Sequence, residues 1–321
     1  MRKLFFIIFL IQFNFIQSDY SLHPRADFVV NELVNSHGFE EGQVLDVLKN
    51  AKKQQTIIDR ISAPAEFTIT WDAYRNIFIE DKRIKNGKKF IENNLLTLKK
   101  AEQEFGVPKE IITAILGVET RYGNIQGKDR VLDSLTTLGF DYPRRAEFFR
   151  NELIKFFILT RENNLDIYSV KGSYAGAMGF AQFMPDNYRR LALDFDEDGK
   201  RDIMNNAADA IGSVANFLSS DLGNKRGWDR NGFIALPAQA KRKNKSIKSS
   251  FKLVPYKELD IVYEKDNLDF SKKYIQISLF PKNEERDEFW IGDKNLYAIT
   301  RYNPSSKYAM SVFLLSEELK N

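Results

Sequence analysis

Apolar residues recur at helical spacing along most of the chain. "PRADFVVNELVNSHGF", "EEGQVLDVLKNAKK" and "NGKKFIENNLLTLKKAEQEFG" follow an i, i+3, i+4 pattern and predict three helices, the last the longest. In "FGVPKEIITAILGVE", Pro108 stands where a helix would begin, which suits its fixed φ and missing N–H, and Gly123 is placed to end it. "RRAEFFRNELIKFFILTREN" predicts a strongly amphipathic helix, and "NAADAIGSVANFLSSDL" another with Asn205 or Asn206 as N-cap. The pattern changes after Gly232. "ALPAQAKRKNKSIKSSFK" is poor in large apolar residues, holds six Lys/Arg between Lys241 and Lys252, and reads as a solvated loop. "LDIVYE", "KYIQISLF", "EFWIG" and "NLYAITRY" read as short strands rich in β-branched and aromatic residues, and "YAMSVFLLSEELK" returns to helix. The expected fold class is α+β, predominantly α, with a small late β insertion.

The helix after Pro108 poses a chemical question. Ile112, Leu116 and Glu119 fall at i, i+4, i+7, with Ile115 four residues before Glu119, so a carboxyl lies on an apolar stripe. Such a group is costly unless it is paired or neutral. One reading gives it an arginine partner, Arg121 or a more distant one. The other keeps it protonated near neutral pH as a proton donor.

Composition narrows the chemistry. With 321 residues, 43% of them apolar, the chain can bury a sizeable core in two or three subdomains. A net charge of +4 suits an acidic polymer without singling out nucleic acid. The absence of cysteine excludes disulfides, thiol catalysis, Cys-ligated zinc and thioether lipidation. His23 and His37 are the only histidines, so catalysis is expected to rest on carboxylates, hydroxyls or a hard metal. At the N-terminus, Arg2 and Lys3 precede an apolar run from Leu4 to Ile11, with Ser18 at a cleavage point. This reads as a secretory signal peptide, the run being short for a membrane span of about 18–20 apolar residues.

Three further segments are candidates for chemistry. "KGSYAGAMGFAQFMP", Lys171 to Pro185, sets small residues beside Phe180, Gln182 and Phe183, either as a ligand wall with an amide or as a close helix contact. "DFDEDGKRDIMNNAAD" places Asp194, Asp196 and Asp198 at positions 1, 3 and 5 of an EF-hand-like loop, with Gly199 at 6 and the Lys200 carbonyl at 7. Position 12 is Asn205 rather than glutamate, so Asp202 or Asp209 would complete a calcium shell; the alternative is a solvated acidic turn. In "RYNPSSKYAM", Tyr302, Asn303 and Tyr308 offer stacking and hydrogen bonds to a sugar, or a cap for the last helix.

Together "GVETRYG", "YPRRAEFF", "KGSYAGAMGFAQFMP", "DAIGSVANF" and "TRYNPSSKYAMSV" resemble the B-type lytic murein transglycosylases. The resemblance is densest from Gly106 to Phe217, resumes at Ala298–Leu315, and is poor over Gly232–Lys294. It implies a lysozyme-like core with an α-domain and a small β-domain around a deep groove. The division it suggests is 1–18 signal peptide, 19–105 N-terminal helical region, 106–232 lysozyme-like core with the acidic loop, 233–295 β insertion with the basic loop, and 296–321 returning to the core. It implies cleavage of the MurNAc-β-1,4-GlcNAc bond of peptidoglycan without water, leaving 1,6-anhydroMurNAc ends. By position, Glu119 is then the catalytic acid/base and Ser173 the hydroxyl near the reacting sugar. Gln182, Phe183, Tyr74, Tyr302, Asn303 and Tyr308 line the groove, with Phe217 where a tyrosine is usual. The resemblance also implies structural Ca²⁺ in the acidic loop and no organic cofactor.

Glycosidases commonly need two carboxyl groups, but one suffices if the sugar's own hydroxyl is the nucleophile. The expected partner is the glycan strand, together with wall-remodelling proteins, met by a periplasmic monomer that is not a lipoprotein. A hydrolytic muramidase and a non-catalytic peptidoglycan-binding scaffold are the alternatives. Nucleic-acid binding through Lys241–Lys252 lacks a motif.

Overall fold

The computed structural model describes residues 19–62, 69–219, 227–241, 247–264, 268–280 and 287–320. The expected signal peptide over 1–18 and the middle of the basic run lie outside these residues. Helices dominate. The N-terminal region holds α1 (Ala26–Asn31), α2 (Glu41–Asn50), α3 (Gln55–Ser62), α4 (Trp71–Phe78), α5 (Asp81–Asn93) and α6 (Leu95–Phe105). The single long helix expected from "NGKKFIENNLLTLKKAEQEFG" is divided between α5 and α6. Asn94 leaves the helical region (φ −120°, ψ 21°) and its side-chain amide donates to the Phe90 carbonyl at 2.9 Å. An asparagine that bonds its own preceding turn competes with helix propagation.

α7 (Lys109–Thr120) forms the centre. Ile111, Ile112, Ala114, Ile115 and Leu116 are all buried, and α5, α6, the later α11 (Ala207–Ser219) and the C-terminal α13 (Ser306–Lys320) pack around them. A helix apolar on every side belongs in a core. α8 (Val131–Asp141), α9 (Ala146–Glu162) and α10 (Pro185–Leu191) complete this body, with a two-stranded sheet of β1 (Asp129–Arg130) and β2 (Lys171–Gly172) beside them. Asn206 caps α11, its side-chain oxygen accepting the Ala208 N–H at 2.9 Å.

A five-stranded antiparallel sheet follows, ordered β4-β6-β7-β3-β5: β3 (Ala235–Ala240), β4 (Ser250–Pro255), β5 (Ile261–Val262), β6 (Lys273–Leu279) and β7 (Glu288–Gly292). Ile275, Ile277 and Leu279 of β6 join the helical core, while Tyr274 joins a second, smaller core with Ile261 and Ile291. Two expectations are corrected here. The stretch read as a loop after Gly232 supplies β3 and β4; "ALPAQA" has few large apolar residues, and its Pro237 stands opposite Trp290, beyond the short β5. "NLYAITRY" is not a strand but most of α12 (Lys294–Tyr302). The deciding residue is Asp293, whose carboxylate accepts the Asn295 N–H at 2.7 Å as an N-cap.

Burial, with Asp229 nearby, pushes the Asp293 carboxyl up to about 7, against the pull of backbone N–H groups from Asn295 and Leu296. The folded state therefore holds a proton that the unfolded chain releases near pH 4. The stabilisation is full below that pH and is lost as pH rises through about 7. Thermal melts should show the wild-type midpoint falling over this window relative to Asp293→Asn protein, which keeps the cap without the titration.

Candidate active site

Glu119 sits half-buried in the last turn of α7. The Tyr308 hydroxyl, from α13 and 189 residues away, donates to Glu119 Oε1 at 2.6 Å. Tyr308 is 2% exposed, and the Tyr302 ring stacks on it with centroids 6.4 Å apart at 11°. Burial, then the neighbouring Glu119, pushes both tyrosine hydroxyls well above their ordinary value, so Tyr308 remains a donor. Arg121, the arginine that sequence offered as a partner for Glu119, instead pairs with Glu80 at 2.9 Å. Tyr308→Phe should cost activity and move the basic limb of the pH–rate profile upward, because a proton-donating Glu119 must start protonated. Its hydroxyl bonds the charged carboxylate, an interaction worth about 1.5–3 kcal/mol. An unchanged profile would count against this contact.

The chain turns sharply after Glu119. Arg121, Tyr122 and Gly123 have φ of 51°, 62° and 86° in succession. A left-handed non-glycine residue costs about 1–3 kcal/mol and persists only where its surroundings fix it. Here the Tyr122 N–H donates to the Leu116 carbonyl at 3.0 Å and its hydroxyl to the Arg83 carbonyl at 2.9 Å. The Gly123 N–H donates to Thr120 Oγ1 at 2.9 Å. A Cβ on Gly123 would lie 2.0 Å from the Phe180 ring, so only glycine allows this approach.

The same Thr120 hydroxyl donates to the Phe180 carbonyl at 2.9 Å, tying the end of α7 to the small-residue segment. That segment is a pinched loop: Met178 and Phe183 exchange backbone hydrogen bonds of 2.9 and 3.1 Å, and the Tyr302 hydroxyl donates to the Ala181 carbonyl. Gln182 is held at φ 48°, its amide NH₂ spent on the carbonyls of Gly179 and Gln126 at 2.9 and 3.0 Å. What it offers a ligand is its carbonyl oxygen, an acceptor. Ser173 is the converse. Its Oγ accepts the N–H groups of Ala177 and Ala175 at 3.1 and 3.3 Å, leaving its hydrogen to donate.

Burial corrects part of the expected wall. Tyr74, Phe183 and Phe217 are 3%, 1% and 2% exposed, so like Tyr308 they have almost no ring surface for a sugar. They form the support behind it, with Phe217 packing on Tyr302 at 4.5 Å and on Phe183 at 5.7 Å. Tyr302 and Asn303 are half-exposed, as are Ser173 and Gln182. Thr120 and Gln126 were missed by sequence reasoning. The threonine in "ETRYG" was the available signal, since a hydroxyl at a helix end seeks a backbone partner.

The acidic loop brings three of its expected ligands together. One carboxylate oxygen each from Asp194, Asp196 and Asp209 lies within 4.8 Å of the others. Asp209 is buried and also accepts the N–H groups of Phe195 and Asp202, both at 2.7 Å. Burial, then Asp196 and Asp194, pushes its carboxyl up. Three crowded oxygen donors suit a hard cation. Asp198 and Asp202 fall outside this cluster, since their carboxylates take the N–H of Lys200 and those of Met204 and Asn205. Nor is the Lys200 carbonyl brought to it by any described contact. The loop backs the wall directly, because the Phe180 N–H donates to the Ile203 carbonyl and the Gln126 amide to the Met204 carbonyl, both at 2.9 Å.

Comparison with known proteins gives a consistent result. A family model for the transglycosylase SLT domain matches residues 23–317. The membrane-bound lytic murein transglycosylase B of Escherichia coli K12 is 35% identical over 311 residues, covering 93% of this chain and 83% of the relative. The X-ray structure of catenated lytic transglycosylase SltB1 from Pseudomonas aeruginosa superposes with a TM-score of 0.83 at 38% identity, over 94% of this chain and 99% of that one. The E. coli lytic transglycosylase SLT35 in complex with calcium superposes at 0.82 with 34% identity, over 96% and 97%. The mostly helical, lysozyme-like α+β architecture is common to them.

Proposed function

The chain belongs to the transglycosylase SLT domain family and is a lytic transglycosylase acting on peptidoglycan, and from this premise we propose that Glu119 alone carries both proton transfers of the cleavage. The observation that carries the reading is the Glu119 carboxyl at the end of a buried helix, gripped by a tyrosine that stays a donor. As an acid, Glu119 gives its proton to the leaving O4 of GlcNAc as the C1–O4 bond breaks. As a carboxylate, it takes the proton of the MurNAc 6-OH as that oxygen bonds to C1. One proton leaves O6 and one arrives at O4, so the enzyme is returned unchanged. Ser173 donates to the N-acetyl carbonyl, which assists at C1, and the Gln182 carbonyl oxygen accepts from the sugar. Tyr302 and Asn303 contact the strand from the other side. General acid–base chemistry contributes about 10²–10⁴ in rate, and positioning of the 6-OH supplies much of the rest.

Asp194, Asp196 and Asp209 would hold Ca²⁺, which supplies charge balance to the loop and a fixed backing for Phe180 and Gln126. The relative whose structure contains calcium supports this reading. Because its substrate is the wall, the protein is proposed to be exported to the periplasm through its first 18 residues; no described helix is long and apolar enough to cross a membrane. Mass analysis of the fragments released from purified sacculi tests the reaction type. Non-reducing anhydro ends, lighter by one water, are expected; reducing ends would instead make the enzyme a hydrolytic muramidase.

A further inference from the structure

We infer that Arg83 is a positioning residue for the cleavage: its buried guanidinium closes the ends of the two helices that carry Tyr74 and Glu119, and its charge helps set the pH range in which Glu119 works.

Arg83 lies in "DKRIKNGKK", the first turns of α5. Of Lys82, Arg83, Lys85, Lys88 and Lys89, only Arg83 is buried, at 3% exposure. A charge in that position has to be answered by hydrogen bonds or by opposite charge. Its Nη1 donates to the Gly117 carbonyl, and its Nη2 to the Ile77 carbonyl at 3.1 Å. These carbonyls belong to the last turns of α7 and α4. The guanidinium carbon lies 4.9 Å from the centre of the Phe78 ring, which packs on Tyr74 at 5.0 Å. The Arg83 carbonyl in turn accepts the Tyr122 hydroxyl from the turn after Glu119. One residue of α5 therefore fixes α4, α7 and that turn relative to one another.

The charges show why this position suits arginine. The C-terminal end of a helix carries roughly half a negative elementary charge, and two such ends meet at Arg83. Glu80 stands 4.0 Å from Arg83 Nε and pairs with Arg121 at 2.9 Å. Two guanidiniums thus share one carboxylate, and the surplus positive charge rests against the helix ends. Burial and Arg121 pull the Arg83 guanidinium down while Tyr122 and Glu80 pull it up; an arginine starts so high that it stays charged. Glu119 occupies the same last turn of α7 as Gly117, with the neutral Tyr302 and Tyr308 hydroxyls on its other side. The field of α7 favours a carboxyl that keeps its proton there, and the Arg83 charge opposes that field.

This role rests on Glu119 being the proton donor, and pH–rate profiles of the full chain on purified sacculi separate the two. Arg83→Gln keeps an amide donor and loses the charge. Its turnover should fall about tenfold to a hundredfold, and the basic limb of its profile should move upward by about half a pH unit. Arg83→Lys restores the charge and should bring the limb back, at reduced turnover. Glu80→Gln alters a half-exposed side chain and should move the limb downward, because both guanidiniums then go unanswered. Limbs that coincide with wild type in Arg83→Gln and Glu80→Gln overturn the role, even where turnover or melting temperature falls. A merely structural arginine changes the amount of working enzyme and not its pH range. If Arg83→Gln protein does not fold, the direction of the Glu80→Gln limb decides. Turnover close to wild type by Glu119→Gln protein in the same assay would overturn the reading of Glu119 itself, and the role of Arg83 with it.

Discussion

Glu119→Gln protein should bind glycan strands as the wild type does and release anhydro-muropeptides at least about 10²–10⁴ times more slowly. The replacement is nearly isosteric, and the Tyr308 hydroxyl can still donate to the amide oxygen, so the stacked Tyr302–Tyr308 pair and the end of α7 should stay in place. What disappears is the ability to give a proton to O4 and to take one from O6. In the proposed mechanism one group performs both transfers, so no second carboxyl rescues either step. The check is paired: strand binding by titration and turnover on sacculi. Turnover close to wild type would remove Glu119 from the mechanism, whereas lost binding with a lowered melting temperature would make its role structural.

Stripping calcium should produce the second large effect. The Asp194, Asp196 and Asp209 carboxylates crowd together, and without a cation their repulsion falls on the loop that backs Phe180 and Gln126. A ligand present at a hundredfold excess over its Kd stabilises by about 2.7 kcal/mol, which for a chain of this size corresponds to roughly 4 °C in Tm. Chelation should lower the melting temperature by that order and raise KM for sacculi, because the wall moves with the loop. Asp196→Ala is the control, since Asp196 is exposed and can be removed without opening the core. Its melting temperature should be insensitive to chelator. Asp209→Ala cannot serve, because it would also strand the buried N–H groups of Phe195 and Asp202. Equal chelator sensitivity in wild type and Asp196→Ala would place the cation elsewhere.

Much of this was legible in the sequence wherever the information was local. The 3.6-residue period of "EIITAILGVE" marked α7, the pair Asn205–Asn206 marked the start of α11, and the DxDxDG spacing marked the acidic loop. Where contacts cross the fold, the sequence was silent. Nothing near Glu119 announces Tyr308, and nothing in "GFAQF" shows that Phe183 turns inward onto Phe217 and Tyr302. An aromatic in a motif looks the same whether it touches ligand or supports the residue that does. The β segment was misread for a related reason. "ALPAQA" becomes a strand through pairing with β7, which its own weak alternation does not advertise. Asp293 was a local signal overlooked, and its cap turns "NLYAITRY" into a helix.

The account turns on whether the sugar attacks itself. Digestion of purified sacculi in water enriched in heavy oxygen measures this directly, read by mass analysis of the newly formed MurNAc ends. The prediction is 1,6-anhydro ends carrying no heavy oxygen. Label at C1 of reducing MurNAc ends from the first moments of the reaction would show that water, not the 6-OH, closes on C1, and would contradict it.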